Sequence, residues 1–214
     1  MKKLFVLAAA VALVMAAAFS ADAATIVGSK HDLKAALPTS QQTCVFCHTA
    51  HQPTGQTTDP LWNHTLSSTA SYGVYDSPTL DATPTDIGGG TAVSNLCMSC
   101  HDGTVGPGSL YNKPNIATGE ETPVAPWAPT TMISGNANMG TSLSNDHPVN
   151  FTYDAALVTA DGGLKDPTAA PISDWLIGGT VQCSSCHDVH DPTYLPFLRT
   201  TNVASALCTS CHIK

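Results

Sequence analysis

The chain has 214 residues, with 8 Lys or Arg against 16 Asp or Glu, for a formal net charge of −8. That balance argues against nucleic acid and anionic lipid as partners, since both need basic patches, and the length allows no more than one or two ordinary domains. Beyond the N-terminal segment long aliphatic runs disappear and Thr, Ser, Gly, Pro, Asn and Asp dominate, so side chains alone offer little to bury.

In chain order, Lys2 and Lys3 form a charged n-region, Leu4 to Phe19 an apolar run, and Ala21-Asp22-Ala23 a small-residue cleavage site. Residues 1–23 therefore read as a secretory signal peptide. A retained anchor is the weaker reading, because the apolar run is shorter than a span needs and ends in a cleavage pattern. No later segment could cross a bilayer, and no cysteine precedes Cys44 to carry a lipid. The mature chain, 24–214, is expected to be one domain outside the cytoplasm, without a membrane anchor. Losing Lys2, Lys3 and Asp22 leaves it more acidic still.

Four Cys-x-x-Cys-His motifs follow: Cys44-Val45-Phe46-Cys47-His48, Cys97-Met98-Ser99-Cys100-His101, Cys183-Ser184-Ser185-Cys186-His187 and Cys208-Thr209-Ser210-Cys211-His212. They use all 8 cysteines. This is the attachment signature of c-type haem. Two intervening residues put the thiols about one helical turn apart, where both can form thioethers with the haem vinyl groups, and the adjacent histidine offers a nitrogen to iron. Tetrathiolate zinc would suit the cysteines but gives the recurrent histidine no role. Disulfides within each motif would close only tiny loops and staple nothing. Four covalent haems are expected.

Each iron then has a proximal ligand, His48, His101, His187 or His212, and needs a second on its other face unless the site is open for catalysis. Five histidines remain: His31, His51, His64, His147 and His190. Met98, Met132 and Met139 are alternatives, but enough imidazoles are present to favour bis-histidine ligation of every iron, with no position left for substrate. His51 and His190 lie three residues after His48 and His187. That spacing keeps each on the side of its own proximal histidine, so each points towards a neighbouring haem. His147, in Asn145-Asp146-His147-Pro148, sits where a turn can deliver a side chain inward. His64 is the histidine left out, and a solvent-facing role is open to it.

Four porphyrins leave fewer than about fifty residues each, so the haems can supply apolar area that side chains normally provide. The expected fold is mostly irregular coil with short helices at the motifs, around stacked haems, and little or no sheet. Pro78 to Gly90, Lys113 to Pro129 and Gly162 to Pro171 carry the punctuation of ordered loops. Folding should fail without haem attachment.

Gly28-Ser29-Lys30-His31-Asp32-Leu33, Cys44 to His51, Leu61-Trp62-Asn63, Leu96 to Gly103, Asn145 to Val149, Cys183 to Asp191 and Leu207 to Lys214 resemble the doubled Cys-x-x-Cys-His cytochromes. Within that group the chain is most similar to the OmcE-type tetrahaem cytochromes, over nearly the whole mature length. Ala50 stands where such families place Pro, a departure without consequence for ligation. The resemblance implies a multihaem cytochrome c whose members polymerise into extracellular filaments with a continuous haem stack. Matched motif by motif, it implies His31, His51, His147 and His190 as distal ligands. It also implies that one distal ligand crosses from a neighbouring subunit, and His31, ahead of the first motif, is the favoured donor; an internal ligand role is the main alternative for His31, and His64 or another distal histidine could be the donor instead.

The leading expectation is a non-enzymatic electron conduit at the cell surface, a homopolymer passing electrons from redox partner proteins to extracellular acceptors. A discrete periplasmic carrier, docking a basic patch on its partner, is the alternative. A multihaem reductase is disfavoured, because it needs an iron with an open face and acid–base groups beside it.

Overall fold

A computed structural model describes residues 25–33, 42–51, 53, 60–90, 92–112 and 133–213. Residues 1–23, expected to be a signal peptide, Met132 and the loop expected at 113–129 lie outside the described residues. Most of the described backbone is coil and turn. Five short helices interrupt it: α1 (Val93–His101), α2 (Ala155–Asp161), α3 (Ile172–Trp175), α4 (Cys183–Cys186) and α5 (Ala206–Cys211). Single 3-10 turns occur at Cys44–Phe46, Gly135–Ala137 and Val203–Ser205. Two-residue strands β1 (Phe151–Thr152) and β2 (Thr180–Val181) pair antiparallel, Phe151 opposite Val181. The expectation of coil, short helices and almost no sheet is what the structure displays. Pro78 to Gly90 and Gly162 to Pro171 fall outside helices and strands, Leu164 forming an isolated bridge to His212.

Local chemistry explains the boundaries. Asp154 caps α2 by accepting from the Leu157 amide at 2.9 Å, and Gly162 ends it in the left-handed region at φ 68°. A capping box opens α4, where the Gln182 side chain takes the Ser185 amide and the Ser185 hydroxyl meets the Gln182 amide at 2.9 Å. Gln182 Oε1 also accepts from the Ser94 hydroxyl at 2.7 Å, while the same hydroxyl accepts from the Cys183 amide at 3.0 Å. This stitches the start of α1 to the start of α4, setting the second and third motifs side by side.

The core is divided rather than continuous. Phe151, Tyr153, Leu157, Ile172 and Val181 form one buried cluster, Val45, Phe46 and Leu110 a second, and Tyr72, Ile87, Met98 and Leu143 a third. Met98 lies inside this last apolar cluster, removed from the role of an axial ligand. Clusters of three to five side chains are small for a chain of this size. Among the described residues no helix is long and apolar enough to cross a membrane.

Candidate haem sites

Each motif sits on one helical turn. The amide of the proximal histidine donates to the carbonyl of the first cysteine four residues back, at 2.8 Å for His48, 3.1 Å for His187 and 2.9 Å for His212. His101 is the last residue of α1. The turn therefore puts both thiols and the imidazole on a common side, as thioether attachment with adjacent ligation requires. None of the eight cysteines is paired in a disulfide.

A second segment lies alongside every motif like a strap. Thr49 and Asn63 exchange backbone bonds with Leu61 and Cys47, Met139 donates to His101 at 2.7 Å, Lys165 donates to Cys211 and Ile213 to Gly163, and Asp188 and Arg199 bond Phe197 and Cys186. Three straps also fix the proximal ring. Nδ1 of His48 meets the Pro60 carbonyl at 2.5 Å, that of His101 the Ala137 carbonyl at 2.7 Å, and that of His187 the Pro196 carbonyl at 2.9 Å. A carbonyl can only accept, so Nδ1 carries the proton and Nε2 offers its lone pair to a metal. These straps were missed by sequence reasoning; Pro60 and Pro196 were visible but carried no sign of which imidazole they would hold.

The histidines then meet in pairs. His48 and His190 have ring centroids 6.2 Å apart and nearly parallel planes at 14°. His31 and His101 stand 6.1 Å apart, His147 and His212 6.4 Å apart. Two metal–imidazole bonds of about 2 Å, with each centroid about 1 Å behind its nitrogen, put two rings on opposite faces of one metal about 6 Å apart. Each pair joins one proximal histidine to one of the expected distal set, and the residues present fit a bis-histidine haem. His190 faces His48 rather than His187, a ring outside its own motif. His147 bonds the Pro148 carbonyl through Nδ1 at 2.9 Å, leaving Nε2 available. Among the described residues no three Cys, His, Asp or Glu side chains gather as a metal site of their own.

His31, favoured as a donor to a neighbouring subunit with an internal ligand role as the other reading, stands against His101 of its own chain. Its segment folds back because Asp32 accepts from the Thr43 hydroxyl at 3.2 Å and Leu33 packs on the Val45 and Phe46 cluster, with Phe197 edge-on to the His31 ring at 4.4 Å. Burial, with His101, His187 and His190 nearby, pushes His31 down to about 4, so it stays in the neutral form that ligates. His64, for which a solvent-facing role was open, is 1% exposed. Its nitrogens lie 2.8 Å from the Thr65 carbonyl and 3.0 Å from that of Gly106, so backbone encloses both edges of the ring; burial favours the neutral form, in which only one of the two nitrogens donates.

His51 and His187 complete the inventory. Among the described residues no second imidazole stands opposite either ring. The His51 carbonyl is pinned by Thr49 Oγ1 at 2.9 Å and Asn112 Nδ2 at 3.1 Å, while the residue itself is exposed.

The thiols neighbour one another in the order of the motifs. Burial pushes Cys100 up to about 12, with Cys47 and then Asp102 adding to the rise. Cys97 is raised by a hydrogen bond to Cys183 and by burial. Cys186 is pushed up to about 11 by burial and then by Cys211. One thiol of each motif thus neighbours one of the next, Cys47 with Cys100, Cys97 with Cys183 and Cys186 with Cys211.

No curated protein matches the chain. Residues 178–214, which hold the third and fourth motifs, match the family model described as Doubled CXXCH motif. With the paired imidazoles, that match supports a multihaem c-type cytochrome with covalently bound haem and a role in electron transfer.

Proposed function

We propose that this protein carries four c-type haems, all bis-histidine, and polymerises outside the cell into a filament along which electrons hop from haem to haem. The observation that carries this reading is the histidine inventory: three proximal rings have a partner about 6 Å away, while His187 and the exposed His51 are each left without one. Among the described residues one ligand too few at His187 and one to spare at the exposed His51 is what a head-to-tail polymer requires, each copy's His51 completing the site at His187 of the next. The ordered contact of the motifs supports a short internal hopping path. Filled axial positions favour electron transfer over catalysis. Residues 1–23 would direct export, and the acidic mature surface would suit docking to basic redox partners.

The test is electron microscopy of the secreted fraction together with its ferric absorption spectrum. The wild-type chain is expected as thin filaments of repeating protomers with only low-spin haem. His51→Ala should give single protomers in which one haem in four turns high-spin. Filaments that persist in His51→Ala would overturn His51 as the linking ligand, and a wild-type protein that is monomeric with every haem low-spin would favour the discrete periplasmic carrier.

A further inference from the structure

The second and third motifs are each followed by an aspartate, Asp102 and Asp188, and the two carboxylates stand in opposite surroundings. Asp102 is 3% exposed. Its Oδ2 accepts from the Ser67 hydroxyl, from Tyr72 at 2.8 Å and from Thr69 at 3.2 Å, and its Oδ1 from the amide and hydroxyl of Thr104, both at 2.8 Å. All these donors are neutral. Among the described residues no cation stands within ion-pair distance of it. Asp188 is a third exposed; its Oδ2 has Arg199 Nη1 at 3.5 Å and its Oδ1 accepts from the His190 amide at 3.0 Å and lies 3.6 Å from His190 Nδ1, while Arg199 Nε is held by the Ser184 carbonyl at 2.6 Å. One motif therefore carries a buried, uncompensated negative charge beside its proximal histidine, and the next carries the same residue neutralised.

We propose that these two carboxylates set the relative potentials of the two haems: Asp102 lowers that of the haem at His101, and Arg199 shields the haem at His187 from Asp188. A buried anion opposes adding an electron nearby, and its field is felt more strongly away from water. Five neutral donors hold the charge on Asp102 without cancelling it. Reduction at His101 adds one electron, drawn from a neighbouring haem, and no proton need move at Asp102. The haem at His101 is then a step in the electron path that is harder to reduce than the one at His187. Asp102 acts here as a positioning residue for charge; it ligates nothing.

The proposal rests on haem being bound at both motifs, and not on polymerisation. The experiment is a spectroelectrochemical titration of the purified holoprotein, fitted as separate haem components, with haem content measured on the same sample. Asp102→Asn should shift one component to higher potential and leave the low-spin spectrum intact. Arg199→Gln should shift a different component to lower potential, because Asp188 is then uncovered. A haem missing from the wild-type protein would defeat the underlying reading. Full haem content with unmoved components in both variants would overturn this proposal alone. Should Asp102→Asn not fold, Arg199→Gln decides: a fall supports the proposal and an unchanged titration overturns it.

Discussion

At the scale of single residues, the distinction between a ligand and a buried histidine rests on which ring atoms are occupied. His64 is enclosed with a backbone carbonyl against each nitrogen, so His64→Ala should leave every haem low-spin while lowering stability by about 2–4 kcal/mol, the cost of a cavity with an unsatisfied carbonyl beside it. His190→Ala, by contrast, should turn the haem at His48 high-spin in the ferric state, since the 6.2 Å ring pair loses one member. Thermal denaturation and ferric absorption spectra of the two variants check both statements; a high-spin band in His64→Ala would make it a ligand after all. The proximal set was legible in the sequence because each histidine touches its cysteine motif. The pairing was not, because His31 and His101 or His147 and His212 are joined only by chain folding. The spacing of His190 from His187 said that it would leave its own motif and was silent on the destination.

Among the elements, the straps and the turns that brace them decide the geometry. Asp86 clasps one such turn: its Oδ1 accepts from the Gly88 amide at 2.7 Å and the Tyr72 amide at 3.1 Å, and its Oδ2 from Ser71 at 2.5 Å and Gly73 at 3.2 Å. A Cβ on Gly88 would lie 2.6 Å from the backbone of Ala70 and Ser71. Gly88→Ala must therefore move backbone and should cost about 1–3 kcal/mol, read as a lower melting temperature. Tyr72 is fully buried beside that turn and donates to Asp102, so the disturbance should reach the second motif. Sequence punctuation marked Pro78 to Gly90 as an ordered loop, since Gly and Pro announce turns locally. It could not announce what the turn grips, for Asp86 and Ser71 belong to segments with no shared periodicity.

Over the whole molecule, the core clusters hold too few side chains to fold a chain of this length unaided. The chain expressed without haem maturation should show no cooperative thermal transition and rapid proteolysis, whereas the mature holoprotein should melt cooperatively. A cooperative melt of the haem-free chain would show that the protein clusters suffice. Coil with short helices was legible from composition because little apolar sequence was available for sheets or long helices. The paired rings have a further consequence in the language of cross-linked polymers. His48 and His190 span more than half the chain, and the other two pairs also join distant segments. A metal bridging any of them closes a long loop, and restricting the unfolded chain in this way is worth on the order of 4–5 kcal/mol per closure. A bridge whose second ring comes from another molecule closes no loop at all. It gains nothing from the chain's own entropy, and dilution would open that joint first.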